Sequence, residues 1–519
     1  MSVLDVVIKK NRYFDSVFLM AVARRLSDQP GIDSAAAVMG SAANKAILVE
    51  MGFAAGALEA AGPNDLVVAL QGDSDAIRGL AENIEEWLVR PKADLAATMA
   101  LSFEDALLQQ GTSNLAVISV PGEYAAREAG IALDRGLNVF LFSDHVSVED
   151  EIALKQKASE AGLIVMGPDC GTAILAGTGI GFANVVRRGP IGVVAASGTG
   201  LQEFTCLVDR AGSGVSHGFG TGGRDLSDAV GGLSTLAAID ALEEDPATTV
   251  IAIVSKPPGE STLRRVVERL SGCSKPVTAC FLGLAADALP EAARFELCRT
   301  VDEAVSTSLR LAGADTARLS VPPVDQVATL AKRETEQMSD SQRHVRGLFA
   351  GGTFCYQAQQ VMRDGGIIGY SNAPLEGMRK LHDPRTSVEN TLIDMGADEF
   401  TVGTPHPMID ATQRRKRILA EAQDSEVAVL LLDFILGYNA SADPAGDLAE
   451  AIAEAKAMTG ETGRHLSVVA SICGTDGDPQ RLGEQEQILR DAGAIVFASN
   501  VQASSFACDI LLRRGEVAG

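Results

Sequence analysis

Ile191-Gly192-Val193-Val194-Ala195-Ala196-Ser197-Gly198-Thr199-Gly200 is an apolar run that breaks into small residues and then enters a helix-forming stretch, 201–211, closed by Gly212. The same device returns as Gly347-Leu348-Phe349-Ala350-Gly351-Gly352-Thr353, followed by residues 354–363 and a stop at Gly365-Gly366. Thr199 and Thr353, like Gly212 and Gly366, are 154 positions apart, so one strand–turn–helix unit is used twice. A helix entered through Gly, Ser and Thr keeps its first N–H groups accessible at the positive end of its dipole, where an anion can approach. Two such starts predict a phosphate gripped from both sides by Ser197, Gly198 and Thr199 and by Gly351, Gly352 and Thr353. Glu203 lies one turn into the first helix, placed to orient a base or accept a proton, and Gln357 takes its position in the second copy.

Working outward, 111–171 alternates strands and helices: an apolar strand over 115–120, a helix from Pro121-Gly122-Glu123, a strand over 138–142, a helix over 148–161, and the turn Gly167-Pro168-Asp169-Cys170-Gly171. The continuous apolar strands suit a parallel sheet covered on both faces. No GxGxxG follows the strand, which argues against a nicotinamide cofactor. Residues 1 to about 105 read as strand, helix, strand, short helix, strand, helix, close to a split βαββαβ sandwich. Pro322-Pro323 and the polar stretch 326–343 read as a linker, and 372–413 as a polar insertion.

With 519 residues, 46% hydrophobic and 22% charged, the chain has the length of several packed domains; the scarcity of aromatics (4%) favours close-packed α/β layers. A net charge of −24 disfavours nucleic acid and anionic membrane surfaces as partners. The eight cysteines are scattered without a CxxC pair, and the six histidines show no HxH or HxxxH spacing. We therefore expect reduced core thiols, no metal site and, without a leader or an apolar span of ~18 residues, a cytoplasmic protein.

Further candidates are the loop Gly218-Phe219-Gly220-Thr221-Gly222-Gly223 with Arg224, whose Gly220 and Gly222 N–H groups and guanidinium suit an anion. His406, in Thr404-Pro405-His406-Pro407-Met408-Ile409-Asp410, is a candidate catalytic group on a loop stiffened by two prolines. His217 precedes the Gly-rich loop. Arg414-Arg415-Lys416-Arg417 reads as a solvated helix face.

Gly167-Pro168-Asp169-Cys170-Gly171, then Ser197-Gly198-Thr199 with Glu203, then Lys275-Pro276-Val277, resemble the GPNCPG, SGTxxxE and KPV motifs of the succinyl-CoA synthetase α subunit. The segment from Gly347 looks like the ligase part of the β subunit, and the whole arrangement, including Arg346-Gly347-Leu348-Phe349 and His406-Pro407-Met408-Ile409-Asp410, resembles the FdrA family. The resemblance implies an α/β chain: an N-terminal α+β (split βαββαβ-like) domain over 1–108, a Rossmann-like CoA-binding-type domain over 109–188, and flavodoxin-like ligase-type domains with parallel sheets over 189–315 and 345–519, joined by a linker over 316–344. By the same resemblance Pro121, Gly122, Gly167, Pro168, Asp169 and Cys170 fall where CoA would bind. The phosphorylated histidine of the synthetases sits in a GHAGA-type motif that is missing here, Pro257-Pro258-Gly259 stands in place of their EIGG-type loop, and no ATP-grasp domain is present. What the FdrA resemblance implies is a subunit of a hetero-oligomeric carbamoyltransferase of allantoin-type purine breakdown, exchanging oxalurate and phosphate with oxamate and carbamoyl phosphate. The alternatives are an acid–thiol ligase that borrows its histidine and nucleotide site from a partner chain, and a non-catalytic scaffold; a homo-oligomer fits each of these.

Overall fold

The computed structural model describes residues 2–89, 100 and 102–517, apart from 13, 15, 28, 285–288, 290–292, 320, 402 and 403. The chain divides into two compact units, Met1–Gln110 with Val402–Pro405, and Gly111–Thr401 with His406–Gly519.

In the first unit β1 (Ser2–Lys9), α1 (Ser16–Ser27), β2 (Ile32–Met39), α2 (Ala42–Glu50), β3 (Leu66–Asp73) and α3 (Ser74–Glu82) follow in order. β3 lies between β1 and β2, antiparallel to both. Alternate residues of a strand face opposite sides of the sheet, and β3 is apolar on both. Leu66, Val68 and Leu70 pack with Leu19, Val22, Leu26 and Ile77, while Val67 and Ala69 pack with Leu48, Phe53 and Leu58. The helix between β2 and β3 therefore closes the face that a plain split βαββαβ sandwich leaves open.

The second unit begins with a three-stranded parallel sheet, β4 (Leu115–Ile118), β5 (Asn138–Leu141) and β6 (Val165–Met166), joined by α4 (Gly122–Asp134) and α5 (Val148–Glu160). Next come the hairpin β7 (Thr172–Leu175) and β8 (Thr178–Gly181), then β9 (Arg188–Ala195), α6 (Gly198–Arg210), β10 (Val215–Gly220), α7 (Leu233–Glu244), β11 (Val250–Ser255), α8 (Glu260–Ser271), β12 (Val277–Phe281), β13 (Glu296–Cys298) and α9 (Val301–Leu311). Their sheet runs β13-β12-β11-β9-β10-β7-β8, so the hairpin, which falls within the span 109–188 given to the Rossmann-like domain, pairs with β10.

After α10 (Val324–Glu336) the second repeat comprises β14 (His344–Phe349), α11 (Gly352–Asp364), β15 (Tyr370–Ser371), β16 (Arg379–Lys380), β17 (Thr391–Asp394), α12 (Thr412–Gln423), β18 (Val427–Ile435), α13 (Gly446–Glu461), β19 (Ser467–Cys473), β20 (Ile495–Phe497) and α14 (Asn500–Val517). Its sheet runs β16-β15-β17-β14-β18-β19-β20. In both sheets the first strand's helix leads to one side and the next crossover to the other: β9 lies between β10 and β11, and β14 between β17 and β18. This is the flavodoxin-like order, and its switch point lies at the carboxyl ends of β9 and β14, where α6 and α11 begin.

Three sequence expectations change. The polar insertion over 372–413 contains β17, a strand paired in register with β14, whose four residues are too few to announce themselves. The linker is a packed helix: Ala331 in α10 is fully buried and the Glu334 carboxylate meets His465 Nε2 at 2.8 Å. Arg414 is buried, not solvated. All eight cysteines are free thiols, and all but Cys273 are buried.

Candidate functional site

The starts of α6 and α11 meet. Ser197 Oγ is hydrogen-bonded to Thr353 Oγ1. A Cβ built on Gly351 would lie 3.1 Å from Thr199 Cγ2, and one on Gly200 would lie 3.3 Å from Thr353 Cγ2. Because Ser197 corresponds to Gly351 and Thr199 to Thr353, the contacts 197–353 and 199–351 are mates across a local pseudo-twofold. Side chains at Gly351 and Gly200 would wedge the two starts apart, which is the physical reason for the small residues. Ser197 also caps its helix, its Oγ accepting from Gly200 N–H at 3.2 Å. The N–H groups of Gly198 and Thr199, and of Gly352, Thr353 and Phe354, donate to no protein group among the described residues. Ser197, Gly198, Thr199 and Gly352 are half-buried and border solvent, whereas Thr353 and Phe354 are buried.

Behind them the two copies differ. Glu203 is 3% exposed; Oε1 accepts from Asn500 N–H at 2.8 Å and Oε2 from Gln357 Nε2 at 3.3 Å. Burial, reinforced by nearby Asp302, pushes its carboxyl up to about 8. Glu203 thus sits in the wall behind the helix starts, bonded to protein groups, and not among the exposed donors where the sequence suggested a proton acceptor. In the second copy the Asp433 carboxylate accepts from the N–H groups of Ala350 (2.8 Å) and Gly351 (2.7 Å), and Arg414 Nη2 pairs with it at 2.9 Å. A bound anion would therefore find only the N–H groups of α11 proper, not those of the turn before it.

Asp394, Lys256 and His406 stand close to the start of α11. Asp394 ends β17 opposite Phe349 in register, and a Cβ on Gly352 would lie 2.6 Å from its Oδ2. Burial raises its carboxyl to about 6 against the pull of the Lys256 charge. Lys256 follows β11, and its Nζ stands 5.3 Å from the centroid of the Tyr356 ring on α11. His406 Nδ1 accepts from Met408 N–H at 3.2 Å, and its Nε2 and the Ala350 carbonyl oxygen lie 2.6 and 2.8 Å from the point where Gly396 would carry a Cβ. Desolvation and the Arg414 charge hold His406 down at about 4, so the ring is neutral near pH 7. The Phe182 ring lies 6.5 Å from it. Asp394 and Lys256 escaped the sequence reading; Lys256 could have been found as the residue that follows the strand beside the first switch point, whereas Asp394 lay in the stretch read as an insertion.

The Gly-rich loop does other work. Gly220 has the Thr172 carbonyl and Cys170 Sγ where a side chain would go, and Gly222, at φ +87°, lies against Pro168. Arg224 pairs with Glu151 (3.0 Å) and donates to the Val146 carbonyl (2.8 Å), so its charge is spent beside α5 and not at the helix starts. Pro121 directly precedes α4 without a capping bond, and Gly122 lies against the Asp144 carbonyl. Gly167 and Pro168 pack on the Gly222 turn. Cys170 is a buried thiol directed at the Thr172 and Gly220 carbonyls, pushed up to about 12 by burial and thus unreactive. Asp169, at φ +55°, is raised to about 6 by desolvation and by Asp144 and Asp398. The turn continues to Thr172, whose Oγ1 lies 3.3 Å from a Cβ position on Gly198, so the expected CoA-type edge and the helix starts are contiguous. His217, partly buried, lies 3.7 Å from Asp245 and stacks on Phe219.

Among known proteins, residues 348–510 match the CoA-ligase family, and residues 1–100 match the family described as AllF, heavy metal-associated domain. The first 110 residues hold neither cysteine nor histidine, the ligands that soft metals favour. The uncharacterized protein YahF of Escherichia coli (strain K12) is 43% identical over 517 residues, 99% of each chain. The succinate–CoA ligase [ADP-forming] subunit alpha of Methanothermobacter thermautotrophicus is 30% identical over 176 residues, 33% of this chain and 58% of that subunit. A dinucleotide-forming acetyl-coenzyme A synthetase 1 of Ca. Korarchaeum cryptofilum is 17% identical, with 78% of this chain and 84% of that one covered at a TM-score of 0.31. Within the second unit, residues 348–510 are thus CoA-ligase-like. No helix of the described residues is long and apolar enough to cross a membrane.

Proposed function

The chain belongs to the family of YahF, with an AllF-type N-terminal domain on a CoA-ligase-type scaffold, and we propose that the facing starts of α6 and α11 hold phosphate while a carbamoyl group passes to or from it. The observation that carries this reading is the pair of contacts Ser197–Thr353 and Thr199–Gly351, which sets two groups of free N–H donors and two hydroxyls around one point. Phosphate oxygens accept such bonds, and donors fixed before the reaction stabilise charge that develops on an attacked carbonyl. In the forward direction phosphate attacks the ureido carbonyl of oxalurate; a C–O bond forms, the C–N bond breaks, and oxamate and carbamoyl phosphate result.

Two features favour direct transfer over a phosphohistidine. No histidine occurs between His217 and His344, the stretch that would hold the synthetase motif. His406, the histidine near the helix starts, accepts Met408 N–H at Nδ1, so its neutral ring carries the proton on Nε2 and acts as a donor to an oxygen. The Gly167–Cys170 edge is left as a CoA-type surface, and the match of 348–510 to the CoA-ligase family supports a second reading, an acid–thiol ligase whose histidine and nucleotide site come from a partner subunit. The deciding assay offers the chain, purified with its co-expressed partner subunits, oxamate with carbamoyl phosphate in one arm and a carboxylic acid with CoA and ATP in the other. Carbamoyl phosphate consumed only with oxamate supports the first reading; CoA thioester in the second arm, without activity in the first, replaces it with the second; silence in both leaves a scaffold.

A further inference from the structure

We propose that Asp394 is the acid–base residue of this site, carrying a proton from the bound phosphate to the leaving nitrogen; the inference rests on the phosphate reading above. Its geometry is fixed at every point but one. The backbone of Asp394 is clamped by Asn372, whose Nδ2 donates to the Asp394 carbonyl and whose Oδ1 accepts from Asp394 N–H, both at 2.9 Å. Oδ1 accepts from Gly396 N–H at 3.0 Å. Oδ2 has no hydrogen-bond partner among the described residues and stands against Gly352, the first residue of α11, within the ring of unused donors. A free carboxylate oxygen at this point meets any anion that the helix starts bind.

Two like charges at such range cannot both persist without a proton, so anion binding must draw one onto Asp394. The groups around it set how readily. Lys256, from the end of β11, favours the ionised form; Asp433, from β18, and Glu399, from the short helix Asp398–Thr401 after β17, oppose it; Gly396 N–H favours it; the neutral His406 ring adds no charge. These influences leave the carboxyl near 6 in the unliganded protein, close enough to neutrality to change hands. In the reaction the oxygen of hydrogen phosphate bonds to the carbamoyl carbon, and the protonated Asp394 gives its proton to the departing nitrogen as the C–N bond breaks. The proton carried by the former hydrogen phosphate then passes to Asp394, so that the acid ends as it began and no further reagent is needed.

The test uses the full chain with its partner subunits and titrates sulfate, which does not itself change protonation at pH 6–8, in two buffers of different ionisation enthalpy at pH 7. Uptake of up to one proton per sulfate is expected, and it should vanish in Asp394→Asn while sulfate and phosphate bind as well or better, because a like charge has gone. Turnover of oxamate with carbamoyl phosphate should then fall about 10²–10⁴-fold with little change in KM for carbamoyl phosphate, as for loss of a general acid–base group. Asp394→Ser, smaller and uncharged, should behave like the Asn variant. Anion binding without proton uptake in the wild type, or with the same uptake in the Asn and Ser variants, overturns the role of Asp394 alone. Failure of the wild type to bind either anion overturns the phosphate reading and this inference together.

Discussion

Glu203 and Gln357, the same position in the two copies of the repeat, meet across the pseudo-twofold at 3.3 Å, 154 residues apart in sequence. One is an acid and the other its amide. Burial pushes Glu203 up to about 8, so near pH 7 it is largely neutral, and a neutral carboxyl beside a carboxamide can form two complementary hydrogen bonds. Gln357 Oε1 is buried without a partner among the described residues; with the amide turned over it would accept the Glu203 O–H. The contact joins the two helices without placing a charge in the interior.

This makes stability depend on pH with a definite sign. Below pH 4.5 Glu203 is neutral folded and unfolded, and its contribution is fully present. Between 4.5 and about 8 the unfolded chain ionises while the folded one does not, so stability falls, and above about 8 it levels off. Glu203→Gln keeps an oxygen for Asn500 N–H and supplies a donor for Gln357. Denaturant unfolding of the second unit should show the variant equal to wild type at pH 5 and more stable at pH 8, with anion binding intact. A difference that stays constant between those pH values would show that Glu203 is ionised when folded.

Gly351→Ala is a clean steric probe, since φ −99° and ψ 117° suit alanine. The added methyl would sit 3.1 Å from Thr199 Cγ2 and 2.8 Å from Phe354 Cδ2, forcing the helix starts apart. We expect ~1–3 kcal/mol of destabilisation, as for overpacking, and phosphate affinity reduced beyond measurement, because donors on separated helices no longer converge. Calorimetric titration alongside a thermal melt checks both; unaltered binding would mean that one helix start suffices.

Much of this was legible in the chain, and the gaps have physical causes. The repeat, the parallel sheets and both helix starts follow from small residues at strand ends and an offset that is kept twice. Arg414 was misread because a run of four basic residues looks solvated; its partner Asp433 lies in an otherwise apolar strand, and only the fold brings them together. Asp394 was hidden because β17 is four residues long and follows a polar stretch. For Glu203, helical spacing gives the face of the residue but not what Asn500, nearly 300 positions away, places over it.

Arg414→Met tests that buried pair. Removing the guanidinium leaves Asp433 charged and enclosed, with only Ala350 and Gly351 N–H groups to hold it. A loss of ~3–5 kcal/mol is expected. Adding Asp433→Asn should recover part of it, because the uncompensated charge disappears. Equal destabilisation in the single and double variants would locate the cost in packing against Phe434, over which the Arg414 guanidinium sits at 5.5 Å, and not in charge.

The two hydroxyls at the meeting point separate binding from folding. Ser197 caps α6 through Gly200 N–H as well as touching Thr353, so Ser197→Ala should cost ~1 kcal/mol of stability in addition to any loss of affinity. Thr353 caps nothing, since the residue at that place in α11 is Gly351. Thr353→Val keeps the shape, and its cost should fall almost wholly on the anion: ~1.5–3 kcal/mol, or roughly 10- to 150-fold in phosphate Kd, the range for a hydrogen bond to a charged group. Because the hydroxyls bond each other, the double variant should lose less than the sum of the two, a coupling that distant sites do not show. Phosphate titrations of the four proteins complete the cycle. Strict additivity would mean that the two oxygens face the anion independently, and unchanged affinity in all three variants would remove the hydroxyls from the cradle and leave it to the backbone N–H groups alone.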